Sequence, residues 1–308
     1  DCVEPYVSHL RRLGLPRFQI LSAGVEVEDD QSGGGLHAVA LPNYFFNKAS
    51  TMAAIPYHVA RTVYELTPSF KRKLQADLGL PGAFSSLSFF LRTGSLTPIG
   101  LVSAWVPWIF ADVCATLSAG EAYAAHILEE CKDEVQLVGG LICSVSNYGE
   151  MTSIPILVRV HAVCSTLAQA NLPGAQSTLE RAYSILSNPS QIVIAAPGFP
   201  SVPVPTEVFL ADLEFTVGSM LKTPLSSFGE FALEDIPGLA LDQDSLAQVA
   251  DIAAQLGSGT APYYQRASWV PVASHLAVVE HPISRSSVDR YAIQALNERP
   301  AKKASPVV

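Results

Sequence analysis

Apolar positions recur at helical spacing through most of the chain, and short alternating or continuous apolar runs are few. Cys2 to Leu13 reads as a short helix with Tyr6, Leu10 and Leu13 on one face and Gly14 as its stop. Phe18–Leu21, Val25–Val27 and Leu36–Leu41 read as short strands. The acidic, then Gly-rich stretch Glu28–Gly35 joins the last two as a hairpin connection, with Gly33, Gly34 and Gly35 free to take positive φ. From Pro42 onward the period is helical. Val59, Val63 and Leu66 form a stripe in Tyr57–Leu66, and Pro68 opens a helix bearing Phe70, Leu74 and Leu78 that ends at Gly79. Ala83–Leu91 is apolar on nearly every side, the pattern of a helix buried all round, and Trp105, Trp108 and Phe110 make a second aromatic concentration.

Cap signals organise the second half. Ser118 with Glu121 fits a capping box for a helix to about Lys132. Ser153 is a candidate cap for a helix carrying Leu157, Val160, Cys164 and Leu167. Ser177 with Glu180 fits a second box, putting Leu179, Ala182, Tyr183 and Leu186 on a buried face. Gln191–Ala196 reads as a strand. Pro197–Pro205 is the strongest punctuation in the chain, and its alternating prolines predict an extended path without ladder hydrogen bonds. Thr206 can cap a helix to Leu221. Asp244 can cap another through Leu246, Val249, Ile252, Ala253 and Leu256, closed by Gly257. His275–Val279 reads as a strand, Ser287–Asn297 as a last helix, and Glu298–Val308 as a fraying tail. No fixed-period repeat is present.

The fold expected is mainly α (α+β), with many short, Pro-broken helices, a few short strands and a small β-hairpin near the N-terminus. Residues 1–196 make a helix-rich main, shell-like domain with that hairpin. Residues 197–205 form a crossing segment, 206–298 a helical C-terminal part on the same core, and 299–308 a flexible tail. The longest apolar runs, Ile99–Ala111 and Val135–Cys143, fall short of the roughly 18 to 20 residues of a membrane helix, so they are expected to be buried core and no membrane partner is expected.

Composition adds one surprise. Charged residues are only 15% of the 308, against roughly 25% in soluble domains. A charge-poor surface suits a protein whose faces are buried against neighbouring subunits. The net charge of −9 disfavours a bulk surface that grips phosphate, and Arg11-Arg12, Lys71-Arg72-Lys73 and Lys302-Lys303 are too short to be basic patches. Any RNA contact would be weak and sequence-independent. The five cysteines at 2, 114, 131, 143 and 164 form no C-x-x-C pair and read as reduced residues in a cytoplasmic setting.

No catalytic constellation stands out. The histidines at 9, 37, 58, 126, 161, 275 and 281 include no H-E-x-x-H, so no metal is expected. Ser219 to Lys222 fits S-x-x-K without its partner elements. Gly257-Ser258-Gly259 and Gly33–Gly35 lack the rest of a phosphate loop. Asp242-Gln243-Asp244 starts like a calcium loop but reads as N-capping carboxylates. Glu26/Glu28 and Glu129/Glu130 read as solvated acids. No enzymatic activity and no cofactor are expected.

Three features together resemble the coat proteins of small double-stranded RNA viruses of fungi and plants, the partitivirus-like group: the stretch Pro42-Asn43-Tyr44-Phe45-Phe46-Asn47-Lys48, the apolar segment with Trp105 and Trp108, and the Pro-rich crossing at 197–205. The resemblance implies a helix-rich subunit that dimerises and closes a shell around double-stranded RNA in the host cytoplasm. The acidic balance departs from that pattern, and a basic RNA-facing arm would then lie outside this segment. Phe89, Phe90, Trp105, Trp108, Pro200, Pro203 and Pro205 are the candidate interface residues, the four aromatics fitting a plain core as well. Two other classes compete: an enzyme whose pocket draws on His161, His275 and Glu280, and a monomeric adaptor that binds partners through Pro197–Pro205.

Overall fold

The structure is a computed structural model that describes residues 17–22, 36–41, 48–81, 97–138, 142–144, 151, 153–186, 190–195 and 201–297. Among these residues the protein is mainly helical. Strands β1 (Arg17–Ser22) and β2 (Leu36–Leu41) come first, then a 3-10 segment (Ala49–Ala54). Four helices follow: α1 (Ile55–Leu66), α2 (Pro68–Asp77), α3 (Pro98–Ala119) and α4 (Glu121–Val138). Then come β3 (Ile142–Ser144), α5 (Ile156–Gln169), α6 (Ala175–Ile185), β4 (Gln191–Ala195) and β5 (Val202–Pro205). The chain closes with α7 (Glu207–Lys222), α8 (Gln243–Gly257), α9 (Trp269–Glu280) and α10 (Arg285–Asn297). The helix expected at Cys2–Leu13, the strand Val25–Val27 with its hairpin connection, the apolar segment 83–91 and the tail 299–308 lie outside the described residues.

Helix α3 is the axis of the fold. Its apolar residues point in every direction, and 17 of its 22 residues are buried, so it needs neighbours all round. Helices α1, α7, α5 and α4 supply them. By length and composition α3 could also cross a membrane; in this fold 83% of its apolar window is buried inside the protein. Pro107 sits in its interior without ending it. The proline removes the bond to the Ser103 carbonyl, and the enclosing helices keep the axis continuous. At the other end, α8 and α9 pack together, α10 covers α9, and α9 docks on the 3-10 segment and α4. One contiguous core runs from Ala49 to Ala292.

The strands depart from their sequence reading in two places. β2 pairs with β1 in parallel, Arg17 opposite Leu36 and Ser22 opposite Leu41, so the two described N-terminal strands are not a hairpin with one another. The Pro-rich crossing, expected to lack a ladder, supplies one. β5 pairs antiparallel to β4 at the edge of a three-stranded sheet of order β3-β4-β5, with Val204 opposite Ile192 and Pro203 opposite Val193. The reason is register. Thr206 N–H donates to the Ser190 carbonyl at 2.9 Å. Alternation then puts Val204 and Val202 at bonded positions, and Pro203 and Pro205 at positions whose nitrogens face away from β4. Both prolines are exposed and Val204 is buried.

Caps also moved. Ser118 lies inside α3, where its hydroxyl donates to the Cys114 carbonyl, and Gly120 at φ 52° makes the turn into α4. The Ser153 hydroxyl accepts from Ser144 N–H, while Pro155 occupies the cap of α5. The Ser177 hydroxyl donates to the Gly174 carbonyl instead of capping, and Tyr183 is 39% exposed instead of buried. Local hydroxyl signals are short-range, and a serine one turn inside a helix satisfies itself on its own backbone. Asp242 does cap by its side chain, accepting from Ser245 N–H at 2.7 Å at the start of α8, and the Ser284 hydroxyl accepts from Ser287 N–H at 3.3 Å ahead of α10. His275–Val279, expected as a strand, belongs to helix α9. A short apolar run has no period that separates the two states, and packing against α8 selects the helix.

Gly174 opens α6 at φ +93°, and a Cβ there would collide with the Glu121 carboxylate. Gly174→Ala should lower the unfolding free energy by about 1–2 kcal/mol, the cost of a side chain in the left-handed region. Urea denaturation reads this directly, and a loss below about 0.5 kcal/mol would count against it.

Candidate functional site

Asp112 is the one charged residue of α3 and is fully buried. An unpaired carboxylate there would be very costly, so the fold must deliver a cation. Helix α5 does so with Arg159, itself 7% exposed among Leu157, Val158 and Val160. Arg159 Nη2 donates to Asp112 Oδ1 at 2.9 Å and Nε lies 3.2 Å from both carboxylate oxygens. The Tyr123 hydroxyl of α4 donates to Asp112 at 2.5 Å and accepts from Arg159 at 2.9 Å. Glu130, two turns further along α4, takes Arg159 Nη1. The Tyr57 ring of α1 lies 4.4 Å from the guanidinium carbon and stacks on Tyr123. Four helices thus meet at one guanidinium.

The electrostatics follow from burial and pairing. Burial works against the Arg159 charge, but Asp112 and Glu130 hold its pKa well above the usual value. Burial pushes the Asp112 carboxyl upward, opposed by Arg159 and the Tyr123 hydroxyl. At Glu130 burial is outweighed by Arg159 and His126, and the pKa falls to about 2. His126 Nε2 lies 3.3 Å from Glu130 Oε1. Burial holds His58 down to about 4, despite the attraction of Glu130.

Above this network opens a polar cavity of about 390 Å³. One wall is a stripe of α4, where His126, Glu129, Glu130 and Asp133 recur at helical spacing. The other wall carries Lys48 and Thr51 from the 3-10 segment and its lead-in, His275 of α9 and Arg285 at the start of α10. Burial, then Arg285 and Arg181, lower the His275 pKa and favour its neutral form. Among the described residues no group of three His, Cys, Asp or Glu side chains is placed to hold a metal ion.

The residues singled out from sequence scatter. Trp105 is fully buried and meets Phe209 edge-on at 5.2 Å. It is a core residue, the core alternative given for the four aromatics, and it leaves no surface for another subunit. Trp108 is partly buried under the Arg61 guanidinium, 3.9 Å from the ring centre. Phe89, Phe90 and Pro200 lie outside the described residues. Pro203 and Pro205 are exposed on the edge strand. His161 faces the Tyr183 hydroxyl at 3.1 Å, and Glu280 is exposed at the end of α9. Of the three side chains suggested for an enzyme pocket, only His275 lines the cavity. Cys164 is buried with its thiol pushed up to about 12, which leaves little thiolate. Sequence reasoning missed the Arg159 centre, although a lone acid in a wholly apolar helix and a lone arginine in Ile156–Val160 are its signature.

No protein-family model, no curated protein and no solved structure matches the chain. The site is therefore defined by its own geometry: a buried ion network in the helical core, roofed by a cavity with opposed charged walls.

Proposed function

We propose that the chain is a structural, self-associating subunit, and that it serves as a capsid protein whose dimers close a shell around double-stranded RNA. The observation that carries this reading is the outer surface. Phe215 is 67% exposed, Tyr263 71% and Val279 68%, in a chain with only 15% charged residues. Phe215 and Val208 stand two turns apart on α7, so they share a face. Large apolar side chains left in water on a charge-poor surface suit burial against a second copy. The Arg159 network is consistent with this role, because its charges are spent on one another across four helices. The proposed setting is the cytoplasm, with weak sequence-independent RNA contact and no membrane.

The test is light scattering and negative-stain microscopy on the purified chain. Dimers or closed particles of uniform size are expected, with Phe215→Ser weakening association at least several-fold. A monomer that stays monomeric across salt and pH overturns the reading. A second reading, an enzyme, is favoured by His126, His275 and Glu130 sharing one cavity. It requires a turnover lost in His275→Ala with folding unchanged.

A further inference from the structure

The cavity between α4 and the C-terminal helices has a property that the assembly reading does not use. Its walls carry opposite charge, and among the described residues those charges do not meet. Glu129 pairs with Lys132 on its own helix, and Glu130 is held by Arg159 and His126. Asp133 has no hydrogen-bonded or ion-paired partner on the acidic wall, and Lys48 and Arg285 have no carboxylate partner on the basic one. Attraction across the gap is felt only at a distance, as Arg285 lowers the Glu129 pKa, after the bond to Lys132 and against burial. The two walls belong to different parts of the chain, α4 on one side and the 3-10 lead-in with α10 on the other. These parts pack on one another around the cavity, α4 against both the 3-10 segment and α9. A volume of about 390 Å³ lies within the range of small-molecule sites, which run from roughly 300 to 1,000 Å³.

We infer that this cavity binds a small zwitterion, its ammonium group on the Asp133 and Glu129 wall and its carboxylate on Arg285 and Lys48. A solute with one charge would leave the opposite wall unmatched. A solute with both, separated by a few methylene groups, gains a charge-assisted hydrogen bond at each end. Burial and Arg285 favour the neutral form of His275, so it adds no charge to the basic wall. Thr51 adds a polar side chain beside Lys48.

The experiment is isothermal titration of the full chain with unbranched ω-amino acids of two to six carbons. Alkylamines and alkylcarboxylates of the same lengths serve as single-charge controls. Saturable binding is expected for the amino acids, strongest at one chain length, with each control at least ten-fold weaker. Asp133→Asn and Arg285→Gln should each weaken the best ligand about ten-fold or more. Both residues are exposed, so thermal unfolding should leave their midpoints near that of the parent chain. The inference is overturned if no amino acid binds saturably, if a singly charged control binds as well, or if both variants bind as the parent does. The particle measurement does not bear on it, so the two proposals stand or fall separately.

Discussion

Arg159→Met should lower the unfolding free energy by about 3–5 kcal/mol, the cost of stranding a buried charge. The substitution is close in length and would fill the same space, but Asp112 loses the one cation paired with it among the described residues, 2.9 Å away and with no access to solvent. The Tyr123 hydroxyl would remain as a single donor to that carboxylate. Asp112→Asn should cost less, since a neutral amide is left beside a guanidinium that Glu130 still holds. Glu130→Gln should cost least, because its side chain is 34% exposed and water can take over. Urea denaturation of the three variants gives the order directly. A loss under 1 kcal/mol for Arg159→Met would mean that the network is not a keystone of the four-helix junction. A triple replacement by apolar residues of matched volume should recover part of the loss, as buried ion networks often exchange for packed cores at little net cost.

Acid should unfold the protein in a pH window set by histidines. Burial holds His58 and His161 at about 4 in the folded state, against 6.5 unfolded. Above pH 6.5 both states carry neutral rings and nothing changes. Between 6.5 and 4 the unfolded chain takes up protons that the folded chain refuses, so stability falls as pH falls. The ceiling is about 3 kcal/mol per histidine from a shift of that size. Both rings keep some contact with solvent, so about 1–2 kcal/mol each is the expectation. His275 shifts in the same direction. Glu130 belongs to a different window: its contribution is full above the ordinary glutamate range and is lost only as pH drops from 4.5 toward 2. Denaturation midpoints measured from pH 7.5 to 4.5 should therefore slope downward, and His161→Gln should flatten the slope by roughly one histidine. A midpoint independent of pH over that interval would contradict the buried neutral state of these rings.

Much of the helical framework was legible along the chain. Of the stripe Val59, Val63 and Leu66, the first two are buried and Leu66, at the end of α1, is 45% exposed; Leu157, Val160, Cys164 and Leu167 are all buried. A helix packs one stripe, and a stripe is a property of sequence. The candidate site was not legible. Asp112, Tyr123, Glu130 and Arg159 come from three helices, and neither their pairing nor the opposition of Asp133 to Arg285 leaves a trace at any fixed spacing. Glu130 looked like a neighbour of Glu129 and no more, yet the two acids differ in fate: one reaches down to Arg159 while the other pairs with Lys132 on the surface.

By itself the sequence determined the helical class, most helix positions and most of their buried positions, though not Leu66 or Tyr183, because apolar periodicity and chain breakers act over a few residues. Tertiary structure alone decided which serine caps and which bonds to its own helix, that the prolines at 203 and 205 sit on the free side of an edge strand, that the run at His275 is helical, and that one arginine closes a junction of four helices. Those outcomes depend on distances between segments remote in sequence, where the energy of a burial or an ion pair exceeds any local preference.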